Sequence, residues 1–369
     1  MRIAEIPTPA FLVDRARFAA NCDAMRAKAA ASGVGFRPHV KTHKTLEGAR
    51  LQLGAPRGPI TVSTLAEAEF YAAAGFDDIT YAVPIDPGKL DRAAALGRTI
   101  RLNLLLDHPA GLAAMEAFAS SHRLRFPVFL KVDSGARRAG VDPSSGESVA
   151  FARRLKESPA VDLRGLLTHA GHSYAARSRA EIEPVAAGEA GVLTSFRDAI
   201  GDRSLRRSIG ATPTASVVDR IPPSEEVRPG NYVFYDAFQA AIGSCALDAC
   251  AASVLAAVVS VYPEQNKVIV DAGALALSKD AGPVHVDPEF GYGRVCDLDL
   301  RPLPLKVFSI SQEHGQIRGE GPIDFARMTV GTKLRIIPNH SCLTAALFDR
   351  YWVIEQGRVV DEWRPVRGW

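Results

Sequence analysis

Short apolar segments alternate with alanine-rich segments of helical pattern along the chain up to about residue 238. The first apolar segment lies at 35–40, and the later ones lie at 60–64, 79–83, 101–106, 127–133, 163–169, 206–210 and 226–234. Continuous apolar strands separated by helices are typical of a parallel sheet covered on both faces. Eight such repeats predict a closed (β/α)8 barrel of the TIM type, and an open doubly wound sheet is the alternative.

The pattern changes after residue 238, where apolar strands follow one another without intervening helices. They lie at 252–262, 267–273, 305–311, 333–338, 351–357 and 358–366, and the turn EQGR joins the last two as a hairpin. Successive strands without helices indicate an all-β unit. We therefore expect an α/β protein with a barrel domain at 8–238 and a C-terminal all-β domain at 239–369.

Charge and cysteine content narrow the class of protein. The net charge is +3 without a block of Lys or Arg, so we expect neither a nucleic-acid partner nor binding to an anionic membrane. We also expect no signal peptide and no transmembrane segment, because no apolar run is long enough. Five scattered cysteines argue against a disulfide framework and favour the cytoplasm.

A lysine lies between two histidines in the stretch GFRPHVKTHKT at 35–45. In an extended segment His39, Lys41 and His43 point the same way. Lys41 then stands at the carboxyl end of the first barrel strand, where barrel enzymes place their chemistry. Burial beside imidazoles or Arg138 disfavours the lysine cation, and a neutral amine can form a Schiff base with an aldehyde. The alternative is an ordinary solvated lysine.

Other polar residues cluster at the predicted carboxyl ends of later strands. They are Asp133, Arg137 and Arg138, then His169, His172 and Tyr174, then Gly210 and Thr212, and finally Gly230, Asn231 and Tyr232. The segment GATPT offers close backbone approach, hydroxyls and a helix start, which together suit a phosphate, although it also fits a plain helix cap. A lysine facing a phosphate cradle indicates pyridoxal phosphate. A Schiff-base aldolase acting on a sugar phosphate without cofactor remains the alternative.

A possible metal site lies in the segment PNHSCLT at 338–344. His340 and Cys342 share a face if the segment is extended, and both are good zinc ligands. Two protein ligands leave coordination positions open for a substrate. Packing of Cys342 in the core is the alternative.

These features together resemble a known family. The motifs FRPHVKTHKT, KVDSGARRAG, THAGHSY, GATPTAS, RPGNYVFYD, DAGALALSKD and PNHSCLT look like those of the metal-activated, fold-type III pyridoxal phosphate enzymes. D-serine dehydratases and D-threonine aldolases belong to this group, and alanine racemase is a more distant relative. The resemblance covers nearly the whole chain and implies an alanine-racemase-like fold.

The resemblance also implies roles for single residues. Lys41 would hold the cofactor as a Schiff base and act as the catalytic base, and Arg138 would lie near the phenolic oxygen of the cofactor. His340 and Cys342 would bind Zn²⁺ or another divalent cation. Contacts to the cofactor and its phosphate would come from Tyr174, Thr212, Gly230 and Asn231.

The activity that the resemblance implies is that of a lyase of the ammonia-lyase type. It would dehydrate a D-3-hydroxy amino acid, such as D-serine, to a keto acid and ammonia. Metal-dependent D-threonine aldolase is the alternative, and an amino acid racemase or a non-catalytic carrier of pyridoxal phosphate is a weaker one. Cys342 favours dehydration, because the aldolases more often have aspartate there, whereas Leu343 departs from the proline of many relatives.

The resemblance further implies a homodimer in which the β domain of one chain closes the barrel of the other, with residues 1–7 joining that β domain. The substrate among D-serine, D-threonine and D-3-hydroxyaspartate stays open. The roles of several histidines also stay open, namely His39, His43, His172 and His314.

Overall fold

The computed structural model describes residues 1–319 and 321–369, which form two compact units. The first comprises 1–22, 177–179 and 231–365, and is called here the β unit. The second comprises 23–176, 180–230 and 366–369, and is called the barrel unit. Each unit is described by itself below.

The strands in chain order are β1 (Ala10–Asp14), β2 (Gly35–Phe36), β3 (Ile60–Val62), β4 (Asp78–Pro84), β5 (Arg101–Leu106), β6 (Phe126–Lys131), β7 (Val161–Leu167), β8 (Arg206–Ile209), β9 (Glu226–Val227), β10 (Ala252–Tyr262), β11 (Lys267–Val270), β12 (Arg294–Cys296), β13 (Pro302–Ile310), β14 (Gly315–Gly319), β15 (Lys333–Ile337), β16 (Tyr351–Glu355) and β17 (Arg358–Trp363). The helices are α1 (Arg15–Ala31), α2 (Leu46–Leu53), α3 (Leu65–Ala73), α4 (Leu90–Gly97), α5 (Pro109–His122), α6 (Gly146–Glu157), α7 (Arg179–Ile200), α8 (Thr212–Val217), α9 (Ala237–Ala241), α10 (Ala274–Leu277) and α11 (Ser341–Ala345).

The barrel unit contains an eight-stranded parallel sheet in the order β2-β9-β8-β7-β6-β5-β4-β3. Its two edges meet, because a parallel bridge links His39 to Thr61 and the amide of Thr61 donates to the carbonyl of Pro38 at 2.9 Å. The predicted (β/α)8 barrel is therefore confirmed, and the open doubly wound sheet is excluded.

The barrel strands are apolar because both of their faces are covered. In β5 every residue after Arg101 is buried, and in β6 every residue except Pro127 is buried. Several helices that follow these strands begin at a side-chain cap: Thr45 accepts from the amide of Gly48, Thr64 from Glu67 and Ser145 from Glu147. Such caps stabilise the first turn by satisfying amides that have no partner within the helix.

An ionic network occupies the amino-terminal end of the barrel strands. Arg37, only 3% exposed, donates both terminal nitrogens to the carboxylate of Asp78 at 2.8 and 3.0 Å. Its Nε donates to Glu226 Oε2 at 3.0 Å, and Glu226 also accepts from Ser208 and Arg206. Every carboxylate in this network is paired, so the network joins β4, β8 and β9 across the barrel interior.

The β unit is built on a nine-stranded sheet in the order β11-β14-β13-β12-β15-β10-β1-β16-β17, with a further pairing of β11 and β10. Strand β1 runs antiparallel to β10 and parallel to β16. The amino-terminal residues pair with the final hairpin, where the amide of Ile3 donates to the carbonyl of Gly357 at 3.1 Å. The sequence analysis included Ala10–Asp14 in the barrel domain, whereas these residues form β1 in the sheet of the β unit. The domain division at 8–238 and 239–369 stays a prediction.

Among the helices of residues 1–319 and 321–369, none combines the length and the apolar character that crossing a membrane requires.

Candidate active site

Lys41 lies on a short 3-10 turn, Val40–Thr42, rather than on the extended strand that the sequence predicted. His43 follows this turn and is fully buried, and the charge of Lys41 is not among the influences on its pKa. His43 Nδ1 accepts from the amide of Thr45 at 3.1 Å, and its Nε2 lies 2.9 Å from Gln52 Oε1. The prediction that His39 and His43 flank the lysine is therefore wrong for His43.

The second imidazole beside Lys41 comes instead from His169, which follows β7. Burial, and then the charge of Lys41, lowers the pKa of His39 and of His169 well below the usual value. His39 Nδ1 accepts from the amide of Lys41 at 3.4 Å, and His169 Nδ1 lies 3.0 Å from the carbonyl oxygen of Gly210. Both rings are thus neutral at pH 7, with the proton of His39 on Nε2 and that of His169 on Nδ1.

A second lysine, Lys131, belongs to the same group of charges, although the sequence analysis assigned it no role. It ends β6 and is only 6% exposed. Burial, followed by the charges of Arg228 and Arg138, lowers the pKa of Lys131 to about 7. The charge of Arg138, which is exposed to solvent, also contributes to lowering the pKa of His169.

The loops after β8 and β9 bring backbone close to side chains. Gly210 has φ +132°, and a Cβ there would lie 2.7 Å from the amide nitrogen of Arg228. A Cβ on Gly230 would lie 3.0 Å from Cβ of His39 and 3.1 Å from its carbonyl oxygen. Gly210 therefore demands glycine, whereas a side chain at Gly230 would require His39 to shift by a few tenths of an ångström. Thr212, 2% exposed, begins α8 two residues after Gly210.

Two buried charges hold these loops in place. Glu189 accepts from the amides of Gly210 at 2.8 Å and Ala170 at 3.1 Å, and burial raises the pKa of Glu189. Arg228 donates to Ser208 Oγ and to the carbonyl of Ile209, both at 2.9 Å, and to the carbonyl of Thr168. Burial lowers the pKa of Arg228 to about 10.

The barrel unit thus carries most of the cofactor residues that the resemblance implied. They follow β2, β6, β7, β8 and β9 at the carboxyl ends of the strands, and they are Lys41, Arg138, Tyr174, Thr212 and Gly230. Tyr174 is half-buried on the 3-10 turn Gly171–Ala175. Asn231 belongs to the β unit. Contact of any of these residues with a cofactor stays a prediction.

His340 and Cys342 lie together in the β unit, although not on an extended segment. His340 precedes α11, and Cys342 is the second residue of that helix. The predicted extended geometry is therefore wrong, because the helix begins between the two residues. Their side chains nevertheless interact, because Cys342 raises the pKa of His340.

The imidazole of His340 is oriented by a carboxylate. Its Nδ1 lies 3.0 Å from Oδ2 of Asp280. Burial is the largest influence on the pKa of His340 and lowers it, but the hydrogen bonds to Asp280 and Cys342 together outweigh burial and raise that pKa to about 11. Asn339 fixes the loop of Asp280, because its Nδ2 donates to the carbonyl of Asp280 at 2.9 Å.

The sulfur of Cys342 is reached by a side-chain amide: Asn231 Nδ2 lies 3.7 Å from Sγ. The same nitrogen donates to Asp236 Oδ2 at 2.7 Å and to Ser341 Oγ at 2.9 Å. Within residues 1–319 and 321–369, no group of three His, Cys, Asp or Glu side chains is arranged to hold a metal ion. The pair of His340 and Cys342 therefore offers two donors.

Two family models match the chain. The model "Alanine racemase, N-terminal domain" matches residues 13–237, and the model "Putative serine dehydratase domain" matches residues 251–354. The first of these covers more than half of the chain.

Curated relatives match over the full length. D-serine dehydratase of Dictyostelium discoideum is 37% identical, over 100% of this chain and 98% of its own. D-threo-3-hydroxyaspartate dehydratase of Delftia sp. strain HT23 is also 37% identical, over 99% of this chain and 98% of its own. The chain belongs to the D-serine dehydratase family of fold-type III pyridoxal phosphate enzymes. A D-threonine aldolase of an Arthrobacter species is a more distant member of the wider group, at 28% identity over 98% of this chain and 92% of its own.

Solved structures of the family agree in fold. The structure of the Delftia dehydratase superposes with a TM-score of 0.94 at 36% identity, covering 100% of both chains. Two further solved structures, also of a D-threo-3-hydroxyaspartate dehydratase and also at a TM-score of 0.94 and 36% identity, carry single alanine substitutions. One replaces a histidine and the other a cysteine two positions later, and the second is described as metal-free.

Proposed function

We propose that the protein is a pyridoxal phosphate- and zinc-dependent dehydratase of small D-3-hydroxy amino acids. D-serine would give pyruvate and ammonia. The observation that carries the proposal is the pair of His340 and Cys342, with Asp280 behind the imidazole at 3.0 Å. A sulfur and an imidazole with open coordination positions suit a metal that acts on a substrate hydroxyl.

The barrel unit fits pyridoxal phosphate. Lys41 supplies the amine for a Schiff base. Gly210 and Gly230 add loop backbone without side chains, and a Cβ there would meet Arg228 at 2.7 Å and His39 at 3.0 Å. Thr212 and Tyr174 add hydroxyls, and Arg138 adds a charge. When bound, the cofactor supplies an electron sink for the carbanion formed at the substrate α-carbon.

The β unit fits a divalent cation of the zinc class. His340 Nε2 and Cys342 Sγ are the donors, and Asp280 holds the ring by its other nitrogen, which is the usual arrangement behind metal-binding histidines. When bound, the metal supplies Lewis acidity toward the β-hydroxyl, which is otherwise a poor leaving group. The cysteine-to-alanine relative described as metal-free supports this choice of donor.

The chain's own residues handle the protons. Lys41 Nζ accepts the α-proton of the substrate. His39 and His169 stay neutral beside it, since burial and the charge of Lys41 lower the pKa of both, so they add no positive charge next to the base. Glu189 and Arg228 fix the positions of the loops that carry His169, Gly210 and Gly230 through their hydrogen bonds to the backbone.

The proposal includes a homodimer in the cytoplasm. The described residues contain no disulfide, which agrees with a reducing compartment. Sedimentation equilibrium should give twice the chain mass of 39.5 kDa. A mass of a single chain at assay concentration would contradict the dimer and leave the chemistry to be tested separately.

The test of function is a product assay on the purified holoenzyme. It is incubated with D- and L-serine, D- and L-threonine and D-threo-3-hydroxyaspartate, and keto acid, ammonia, glycine and aldehyde are measured. We expect keto acid and ammonia in equal amounts from D-isomers, and none with the Lys41→Ala variant. Glycine and aldehyde as the main products would establish the aldolase instead.

A further inference from the structure

We propose that Asn231 is a positioning residue for Cys342, so that its side-chain amide serves the metal-binding sulfur rather than the cofactor. The inference rests on the proposed function, because it assumes that His340 and Cys342 hold a metal. It departs from the role that the family resemblance implied for Asn231, which was a contact to the cofactor.

The orientation of the Asn231 amide is fixed by its surroundings. Asp236 Oδ2 accepts from Asn231 Nδ2 at 2.7 Å, from the amide of Ser341 at 3.0 Å and from Ser341 Oγ at 3.2 Å. A carboxylate oxygen that accepts from several donors must face the NH₂ group of the amide and not its carbonyl. The nitrogen of Asn231 therefore points toward Ser341 and Cys342.

The same network also fixes Ser341, the residue between His340 and Cys342. Ser341 is fully buried, Asp236 is 1% exposed and Asn231 is 4% exposed. Both polar groups of Ser341, its amide and its hydroxyl, are held by Asp236. Because water is excluded, these bonds define one geometry for the turn from His340 into α11.

The contact from Asn231 Nδ2 to Cys342 Sγ, 3.7 Å long, has a chemical consequence. The two hydrogens of Nδ2 serve Asp236 and Ser341, so the sulfur shares an N–H with one of these closer acceptors. The positive end of the amide group still faces the thiolate and stabilises its negative charge, and outer-shell partners of this kind orient the ligand and tune the metal. A sulfur that shares its charge with an amide leaves the metal a stronger Lewis acid. This is the property that departure of a hydroxyl requires.

The carbonyl of Asn231 argues against a phosphate contact through this side chain. Asn231 Oδ1 is buried, and no donor of the described residues reaches it. An acceptor oxygen does not bind a phosphate group, which is itself rich in acceptors. The side chain thus directs its NH₂ group toward Asp236, Ser341 and the sulfur of Cys342, and its acceptor lies elsewhere.

The experiment compares Asn231→Leu with Asn103→Leu. Asn103 is a matched control: it is 2% exposed, and its amide also donates to three acceptors, on Asp78, Ile79 and Thr80. Both variants lose a buried amide of the same kind, but only the first loses a contact to a ligating atom. Zinc affinity is measured by competition with a chromogenic chelator, and the sulfur-to-cobalt charge-transfer band is recorded on the cobalt-substituted protein.

We expect Asn231→Leu to weaken zinc binding about 10- to 100-fold and to shift the charge-transfer band, as other losses of outer-shell partners do. Asn103→Leu should leave both unchanged. In a Cys342→Ala background, Asn231→Leu should change zinc affinity little further, since the sulfur through which it acts is gone. Asn231→Ala removes the same donors with a smaller side chain and should agree with the leucine variant, and it replaces that variant if leucine prevents folding.

The inference is overturned if both Asn231 variants keep the zinc affinity and the cobalt band of the parent protein. If the Asn231 variants lose cofactor absorbance but keep the zinc affinity and the cobalt band, Asn231 contacts the cofactor and the inference is overturned. A parent protein that binds no zinc would also overturn it. Zinc binding that depends on Cys342, without formation of keto acid, would instead refute the proposed function and leave the inference standing.

Discussion

The carboxylate of Asp280 lies 3.0 Å from Nδ1 of His340 and leaves Nε2 of that ring as its outward donor. Sixty residues separate the two along the chain. A histidine held in this way presents one defined nitrogen to a metal, and the partner carboxylate raises its basicity. If His340 and Cys342 hold a metal as proposed, Asp280 orients one of its two ligands.

Replacement of Asp280 should therefore weaken the metal site without removing a ligand. We expect Asp280→Ala to lower zinc affinity about 10- to 100-fold. Asp280→Asn keeps an oxygen acceptor for Nδ1–H, so its loss should be smaller. Zinc titration of both variants checks this, and equal affinities for the alanine variant and the parent would contradict the role of Asp280.

His43 should make stability depend on pH. Burial lowers the pKa of its imidazole to about 4, against an ordinary value of 6.5 in the unfolded chain. Between these two values the unfolded state binds the extra proton, so stability is complete above about pH 6.5 and falls as the pH drops toward 4.

The comparison is between the parent protein and His43→Leu, which cannot titrate at this position. The thermal midpoint of the parent should fall more steeply from pH 6.5 to 4 than that of the variant. The absolute midpoints will differ, because leucine loses the contacts to Gln52 and Thr45, and only the difference in slope matters. Parallel slopes would show that His43 does not carry the effect.

The ionic network at the amino-terminal end of the barrel strands should matter for stability alone. Glu226→Ala removes one partner of Arg37, whose side chain is 4% exposed, and we expect a loss of about 3–5 kcal/mol, as for other broken buried pairs. Arg164→Ala breaks the exposed pair with Asp162 and should cost about 0–1 kcal/mol. Denaturant unfolding measures both, and an equal effect of the two variants would contradict the distinction.

Gly210 should tolerate no side chain. Its φ is +132°, and a Cβ added there would lie 2.7 Å from the amide nitrogen of Arg228, so alanine is strained in both backbone and packing. We expect Gly210→Ala to lower the free energy of unfolding by about 1–3 kcal/mol and to weaken cofactor binding. Gly188 lies in α7, and a Cβ added there would meet no atom within 4 Å apart from the neighbouring backbone of its own helix. Gly188→Ala should therefore stabilise the protein by about 0.5–1 kcal/mol. Thermal unfolding and cofactor absorbance of the two variants check the contrast.

Much of the fold could be predicted because it depends on local pattern. The run at 101–106 coincides with β5, since a strand buried on both faces is apolar throughout. The geometry near Lys41 could not be predicted in the same way. The 3-10 turn at Val40–Thr42 breaks the alternation of side chains, so His39 and His43 face different surroundings.

Only part of the candidate site could be predicted from the sequence, because burial and contacts between distant residues are set by the fold. Lys41, His340 and Cys342 stand in recognisable motifs. Lys131 opens the motif KVDSGARRAG, but nothing in the motif shows that the lysine is buried. Glu189 looks like any charged residue in a helix, and the roles of both depend on burial and on partners far along the chain. The segment DAGALALSKD does contain Asp280, but only the fold reveals that its carboxylate meets His340.

The central claim is that a metal held by His340 and Cys342 is required for dehydration. The most direct measurement is the return of keto acid formation from a D-3-hydroxy amino acid when zinc is titrated into chelator-treated enzyme. The account predicts activity that rises with zinc and levels off at one zinc per chain, and no recovery in Cys342→Ala at the same zinc concentrations. Full keto acid formation by enzyme stripped of its metal would contradict it.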